Sequence, residues 1–143
     1  SWGPRIDRPP GLVRRMAPVI YLDTHVAVWL YSSGAQSLSP RAAELIEVSD
    51  DLRISPMVRL ELQYLYEIGR VGEPAATVLD ALHTSLGLAV CSARFAAVVG
   101  EAEGLGWTRD PFDRLIVAQA ALHGATLLTK DDDLHEHYPG AVW

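Results

Sequence analysis

The sequence predicts an α/β fold: a central parallel sheet of four to five strands with helices on both faces. Three observations predict it. Short apolar, β-favouring runs alternate with longer stretches of helical periodicity. Three of those stretches open on a capping residue followed by proline, at Ser39-Pro40, Ser55-Pro56 and Asp110-Pro111. The chain has 143 residues and is 49% hydrophobic, enough for one core and too little for two.

The elements follow in order. Residues 1–15 are rich in Pro, Gly and Arg and carry no apolar period, so they read as a flexible leader or extension before Met16. Residues 16–143 read as a single domain. Val19-Ile20-Tyr21-Leu22 is a buried strand that stops at Asp23-Thr24. Val26 to Tyr31 is a short helix. The helix after Ser39-Pro40 turns Ala42, Ala43, Leu45 and Ile46 inward. Leu52-Arg53-Ile54 is a second strand. The helix after Ser55-Pro56 runs to Gly69 through Val58, Leu62, Leu65 and Ile68. Pro74 opens another helix, Leu88 to Cys91 is a third strand, and 93–103 is helical. Asp110-Pro111 starts a helix from Phe112 to His123 that Gly124 ends. Ala125 to Thr129 is a fourth strand and Ala141-Val142-Trp143 a short fifth. Strands that alternate with helices in this way build βαβ units.

No apolar run approaches the roughly 20 residues of a membrane-spanning helix. The lone Cys91 forms no internal disulfide, sits in an apolar run, reads as a small buried hydrophobe and fits a reducing cytoplasm. The net charge of −6 does not suit binding to nucleic acid by a broadly basic surface. An acidic chain still acts on RNA if its acids hold metal ions, so the placement of the acids decides.

Sites in parallel α/β sheets form beyond the carboxyl ends of the strands. Asp23 follows the first strand, and Asp131, Asp132 and Asp133 follow the fourth. Asp110 and Asp113 begin the helix that feeds the fourth strand, while Glu61 lies further along its helix between Leu60 and Leu62. Each has a structural alternative. Asp110 is a good N-cap, Asp113 suits the first helical turn, the 131–133 run suits a solvated turn, and Glu61 suits a helix surface. Taken together they point to metal. Carboxylates gathered at one sheet edge repel each other and raise each other's pKa unless a cation neutralises them. All-oxygen ligation suits Mg²⁺ or Mn²⁺, and such an ion acidifies water and stabilises charge on a scissile phosphate.

Other chemistries lack their motifs. His25, His123, His135 and His137 show no zinc-type spacing with cysteine. No serine triad or dinucleotide fingerprint occurs, and Gly100 to Gly104 lies in a helical stretch unsuited to cradling phosphate.

Four segments resemble the PIN-domain nucleases, and within them the VapC-type toxins of toxin–antitoxin pairs. They are Val19-Ile20-Tyr21-Leu22-Asp23-Thr24-His25, Ser55 to Leu62 around Glu61, Arg109 to Ala120 with Asp110-Pro111-Phe112-Asp113-Arg114, and Leu127-Leu128-Thr129-Lys130-Asp131. The resemblance spans residues 19–143. It implies a three-layer α/β/α sandwich and a cluster of Asp23, Glu61, Asp113 and Asp131 around Mg²⁺ or Mn²⁺, with Asp110 beside it. It implies Thr24 and Thr129 as hydroxyl partners of those carboxylates. It further implies an RNA substrate and a cognate VapB-type antitoxin.

Arg59, Arg109, Arg114 and Lys130 lie near the motifs and are candidates to steer phosphates, with ordinary surface charge as the alternative. Trp29, Tyr31, Tyr64 and Tyr66 are candidates for an antitoxin groove or a homodimer seam, with core packing as the alternative. Two other functions compete with the ribonuclease. A receiver-type signalling domain also places acids, a Thr and a Lys at strand ends, but Thr129 and Lys130 adjoin here and Asp23 lacks an acidic neighbour. A non-catalytic PIN-like scaffold has no need of so costly a carboxylate set.

Overall fold

The computed structural model describes residues 19–143. The leader expected over 1–15 and the start at Met16 lie outside the described residues.

β1 (Val19–Leu22) leads into α1 (Thr24–Ser33), a 3-10 turn (Gly34–Ser37) and α2 (Pro40–Val48). β2 (Asp51–Ile54), α3 (Pro56–Glu67) and α4 (Ala75–Leu86) follow. β3 (Ala89–Val90), α5 (Phe95–Glu103), α6 (Pro111–Leu122), β4 (Thr126–Leu128), α7 (Asp132–His137) and β5 (Ala141–Val142) complete the order. The sheet runs β3-β2-β1-β4-β5, and every pairing is parallel. The result is a three-layer α/β/α sandwich, as the sequence predicts.

The central strands explain the apolar runs. Ile20, Tyr21 and Leu22 are at most 1% exposed, and Leu127 and Leu128 are fully buried. A parallel strand covered on both faces reads as continuous hydrophobicity, not alternation. Val58 and Leu62 of α3 and Ile116 and Val117 of α6 close over the same core. Each such side chain stabilises the fold by about 1.5–3 kcal/mol.

The capping signals act as expected. Ser39 Oγ accepts from Ala42 N, and Ser55 Oγ accepts from Met57 N, each before a proline whose missing N–H costs nothing there. α4 ends at Gly87, whose φ of 73° is the left-handed conformation that glycine adopts without a Cβ clash.

Several elements differ from expectation. α1 begins at Thr24, two residues early, because the Asp23 carboxylate itself caps it. β3 is only two residues long, since Leu88 and Cys91 turn into the core on either side of exposed Ala89 and Val90. Asp132 and Asp133, which also suited a solvated turn, begin the short helix α7. Cys91 is buried, but it is not purely a hydrophobe: Tyr21 Oη donates to its Sγ at 3.1 Å. Among the described residues no helix is long and apolar enough to cross a membrane.

β1 pairs with β2 on one side and β4 on the other. The chain runs outward through β2 and β3 in one direction and through β4 and β5 in the other. That reversal opens a crevice at the carboxyl ends of β1 and β4, the usual place for a ligand in an open parallel sheet.

Candidate functional site

Asp23 stands at that crevice, directly after β1. It is only 7% exposed. Its Oδ1 accepts from Thr24 N at 2.8 Å, and its Oδ2 accepts from Thr129 Oγ1 at 2.7 Å. Its backbone N donates to Leu128 O, which ties the turn after β1 to the end of β4. Burial pushes its pKa up, while the bonds from Thr129 and Thr24 oppose that rise.

The neighbouring strand end repeats the arrangement. Asp131 caps α7 through Oδ1, accepting from Asp133 N at 2.8 Å and Leu134 N at 3.3 Å. Asp131 N in turn donates to Thr129 Oγ1 at 3.0 Å. The fully buried Thr129 hydroxyl is therefore a bridge: it donates to one acid and accepts from the backbone of another. His135 Nε2 lies 2.6 Å from Thr129 O and braces the same residue from α7.

Glu61 comes from α3. The side chain lies on the same flank of the helix as buried Leu65, and it is half-buried. Thr24 Oγ1 donates to its Oε1 at 2.5 Å. Burial raises its pKa, and the charges of Asp23 and Asp110 add to the rise. Thr24 thus meets two acids: its N–H serves Asp23 and its hydroxyl serves Glu61.

Asp110 and Asp113 arrive on the first turn of α6. Asp110 Oδ1 accepts from Phe112 N at 2.8 Å and Asp113 N at 3.3 Å, an N-cap by geometry. Asp113, like Asp23 and Glu61, is raised. Burial first, then the charges of Asp110, Asp23, Asp131 and Glu61, push its pKa from 3.8 to about 7. All five carboxylates therefore share one electrostatic neighbourhood. As placed, no three His, Cys, Asp or Glu side chains among the described residues are grouped closely enough to hold a metal ion. The acids are thus spaced more widely than a ligand shell. The donor set itself is all oxygen, the chemistry that suits Mg²⁺ or Mn²⁺.

The basic candidates divide. Lys130 is exposed between Thr129 and Asp131, with Nζ 6.0 Å from the Trp29 ring centroid. Arg109 Nη1 donates to Gly106 O at 2.6 Å, within the loop that leads into α6. Arg114 donates through Nε and Nη2 to Ala102 O, at 3.3 and 3.1 Å, and so ties α6 to α5. Arg59 lies roughly 160° around the helix from Glu61 and lines a groove with Leu60, Gln63 and Ala75. Arg59 and Arg114 are thus directed away from the acids.

By sequence His25 is one of several scattered histidines. It directly follows Thr24, and its charge acts on both Asp23 and Glu61. Its adjacency to Thr24 was the available signal. The aromatic candidates also separate: Tyr31 packs against the core, whereas Tyr64 and Tyr66 are exposed on α3, and Tyr64 meets Phe112 with ring centroids 6.0 Å apart.

Comparison with known proteins gives the family and the fold. The PIN domain family matches residues 20–139. The chain is 35% identical to Ribonuclease VapC22 of Mycobacterium tuberculosis, over 87% of this chain and 98% of the relative. Among solved structures, VapBC2 from Rickettsia felis bound to a DNA fragment from its promoter superposes with a TM-score of 0.61. That match has 24% identity and covers 87% of this chain and 96% of the other. DNA-bound VapBC from Salmonella typhimurium gives a TM-score of 0.61 at 19% identity, over 87% and 95% of the two chains. At those identities the two structures speak for the fold, while the family match and the mycobacterial relative speak for descent. The chain belongs to the PIN domain family, and within it to the VapC type.

Proposed function

We propose that this chain is an Mg²⁺- or Mn²⁺-dependent endoribonuclease of the cytoplasm, the toxin of a toxin–antitoxin pair. One observation carries the reading: Asp23, Glu61, Asp110, Asp113 and Asp131, drawn from four segments, lie near enough together that burial first, and then the charges of the other four, push the Asp113 carboxyl up to about 7. A protein gains nothing for stability from such a set, whereas a divalent cation turns the repulsion into binding energy. The 35% identity to a mycobacterial ribonuclease over nearly its whole length supports the same chemistry.

In this reading Asp23, Glu61, Asp113 and Asp131 hold the ion, and Asp110 lies beside them while capping α6. A bound Mg²⁺ or Mn²⁺ supplies an acidified water and stabilises charge developing on the phosphodiester. The chain's own residues do the rest. Thr129 and Thr24 N orient the Asp23 carboxylate, and each of its oxygens keeps a further lone-pair direction for a ligand. Thr24 Oγ1 fixes Glu61. Burial of Asp23 excludes bulk water from that side, so the field of the acids is not damped. Lys130, beside Asp131, is placed to meet a phosphate. A VapB-type antitoxin would act by covering the acid crevice. Exposed Leu60 and Tyr64 on α3, with Ile68 just past its end, form the apolar strip that a second copy of the chain would cover.

The test is cleavage of end-labelled RNA by purified protein with Mg²⁺ or Mn²⁺. Cutting that disappears in Asp23→Asn and Asp113→Asn, with circular dichroism unchanged, is expected. Equal cutting by both variants overturns the reading.

A further inference from the structure

We propose that Trp29 and Trp143, framed by His25 and Lys130, form a stacking platform for an unpaired base of single-stranded RNA beside the acid crevice. The proposal rests on the ribonuclease reading and says where the substrate next to the cut is held.

Four side chains from three parts of the chain meet here. Trp29 lies on α1, one turn after His25, and their ring centroids are 6.1 Å apart. Trp143, which follows β5, meets Trp29 at 5.6 Å with an interplanar angle of 63°. Lys130 Nζ stands 6.0 Å from the Trp29 centroid, at the outer limit of a cation–π contact. Trp143 packs against the main core and is thereby an anchored wall. Trp29 stays partly exposed beside it, a large flat ring whose position is set by these neighbours.

The platform's residues adjoin those of the acid site along the chain. His25 directly follows Thr24, whose hydroxyl bonds Glu61. Lys130 lies between Thr129, which bonds Asp23, and Asp131. A strand reaching the acids from this side crosses Lys130 and Trp29 together.

The bounding charges select the occupant. A partner helix would be matched by a broad apolar face. Here two indole rings are edged by an imidazole and by the ammonium of Lys130, in a protein of net charge −6. That pattern suits a ligand that alternates anionic and flat aromatic groups. Lys130, long and exposed, swings from the ring to a phosphate, and the indole takes the base. Such stacking tolerates any base, because every base presents a π-face.

The experiment measures binding of a labelled oligoribonucleotide to the Asp113→Asn protein in Mg²⁺ by fluorescence anisotropy, so that no cutting intervenes. Adding Trp29→Ala is expected to weaken binding by about tenfold, with Trp29→Phe restoring most of it. One abasic position in a scanned oligonucleotide is expected to cost a similar factor, and to cost nothing further once Trp29 is Ala. Trp29→Leu, which keeps bulk without a π-face, gives the same reading should the Ala variant not fold. Unchanged RNA affinity in these variants, including the case where only binding of a protein partner suffers, overturns the platform. So does an abasic penalty that persists without Trp29. Failure of the ribonuclease reading is seen separately, as absence of Asp113-dependent cutting in protein that retains Trp29.

Discussion

Thr129 Oγ1 donates to Asp23 Oδ2 at 2.7 Å and accepts from Asp131 N at 3.0 Å. One buried hydroxyl thus fixes two acids at the ends of neighbouring strands. Thr129→Val keeps the shape but leaves a buried carboxylate oxygen and an N–H without that partner, at a cost of about 1–3 kcal/mol. Urea unfolding should show that loss, and Thr129→Ser should recover most of it. RNA cutting should fall in the Val variant and survive in the Ser variant. A Val variant as stable and active as the parent would show that the bridge does not matter.

Asp113 gives a pH dependence of definite sign. Its carboxyl is raised from 3.8 to about 7 in the folded chain, by burial first and by its acidic neighbours second. Between those values the unfolded chain releases a proton that the folded chain keeps. The contribution to stability is therefore full below about 3.8, is lost as pH rises towards 7, and is flat above. Glu61 and Asp23, also raised, act in the same direction. Asp51, lowered by its bond to Arg53, opposes them only at the acid end. With chelator present, Asp113→Asn should raise stability at pH 8 by about 1–2 kcal/mol, discounted for its half-exposed position. The gain should shrink towards pH 4. Thermal unfolding at the two pH values checks it, and a variant less stable at pH 8 would contradict it.

Lys130 and Arg114 should behave differently although both were candidates to steer phosphate. Arg114 is engaged with Ala102 O, so Arg114→Met should cost about 1 kcal/mol of stability and leave the salt dependence of RNA binding nearly unchanged. Lys130→Ala should leave stability unchanged and lower the slope of log affinity against log salt by about 1. Binding isotherms at several salt concentrations decide. The reverse assignment of the two effects would contradict the geometry.

Much of the fold was legible because local and tertiary demands coincide. β1 and β4 are buried on both faces and therefore read as unbroken apolar runs. The Ser-Pro and Asp-Pro starts meet a local need for capped N–H groups, which sequence alone expresses. α7 was not legible: it has six residues and only Leu134 is buried, too few to show a period. The edges of β3 depend on Leu88 and Cys91 finding the core, a tertiary fact. Within the site, the acids stand out because polar residues at the ends of apolar strands are conspicuous. The direction of Arg59 and Arg114 is not encoded locally, because it follows from which helix packs beside each. His25 is not legible as part of the site, because a single histidine carries no spacing signal, although its neighbour Thr24 marks the place.

The most direct test is calorimetric titration of Mn²⁺ into the purified protein and into Asp23→Asn, Glu61→Gln, Asp113→Asn and Asp131→Asn. Saturable binding that weakens at least about tenfold in each variant is expected if all four carboxylates share one ion site. No saturable binding, or binding of equal strength in all five proteins, would contradict a common metal site and with it the proposed nuclease.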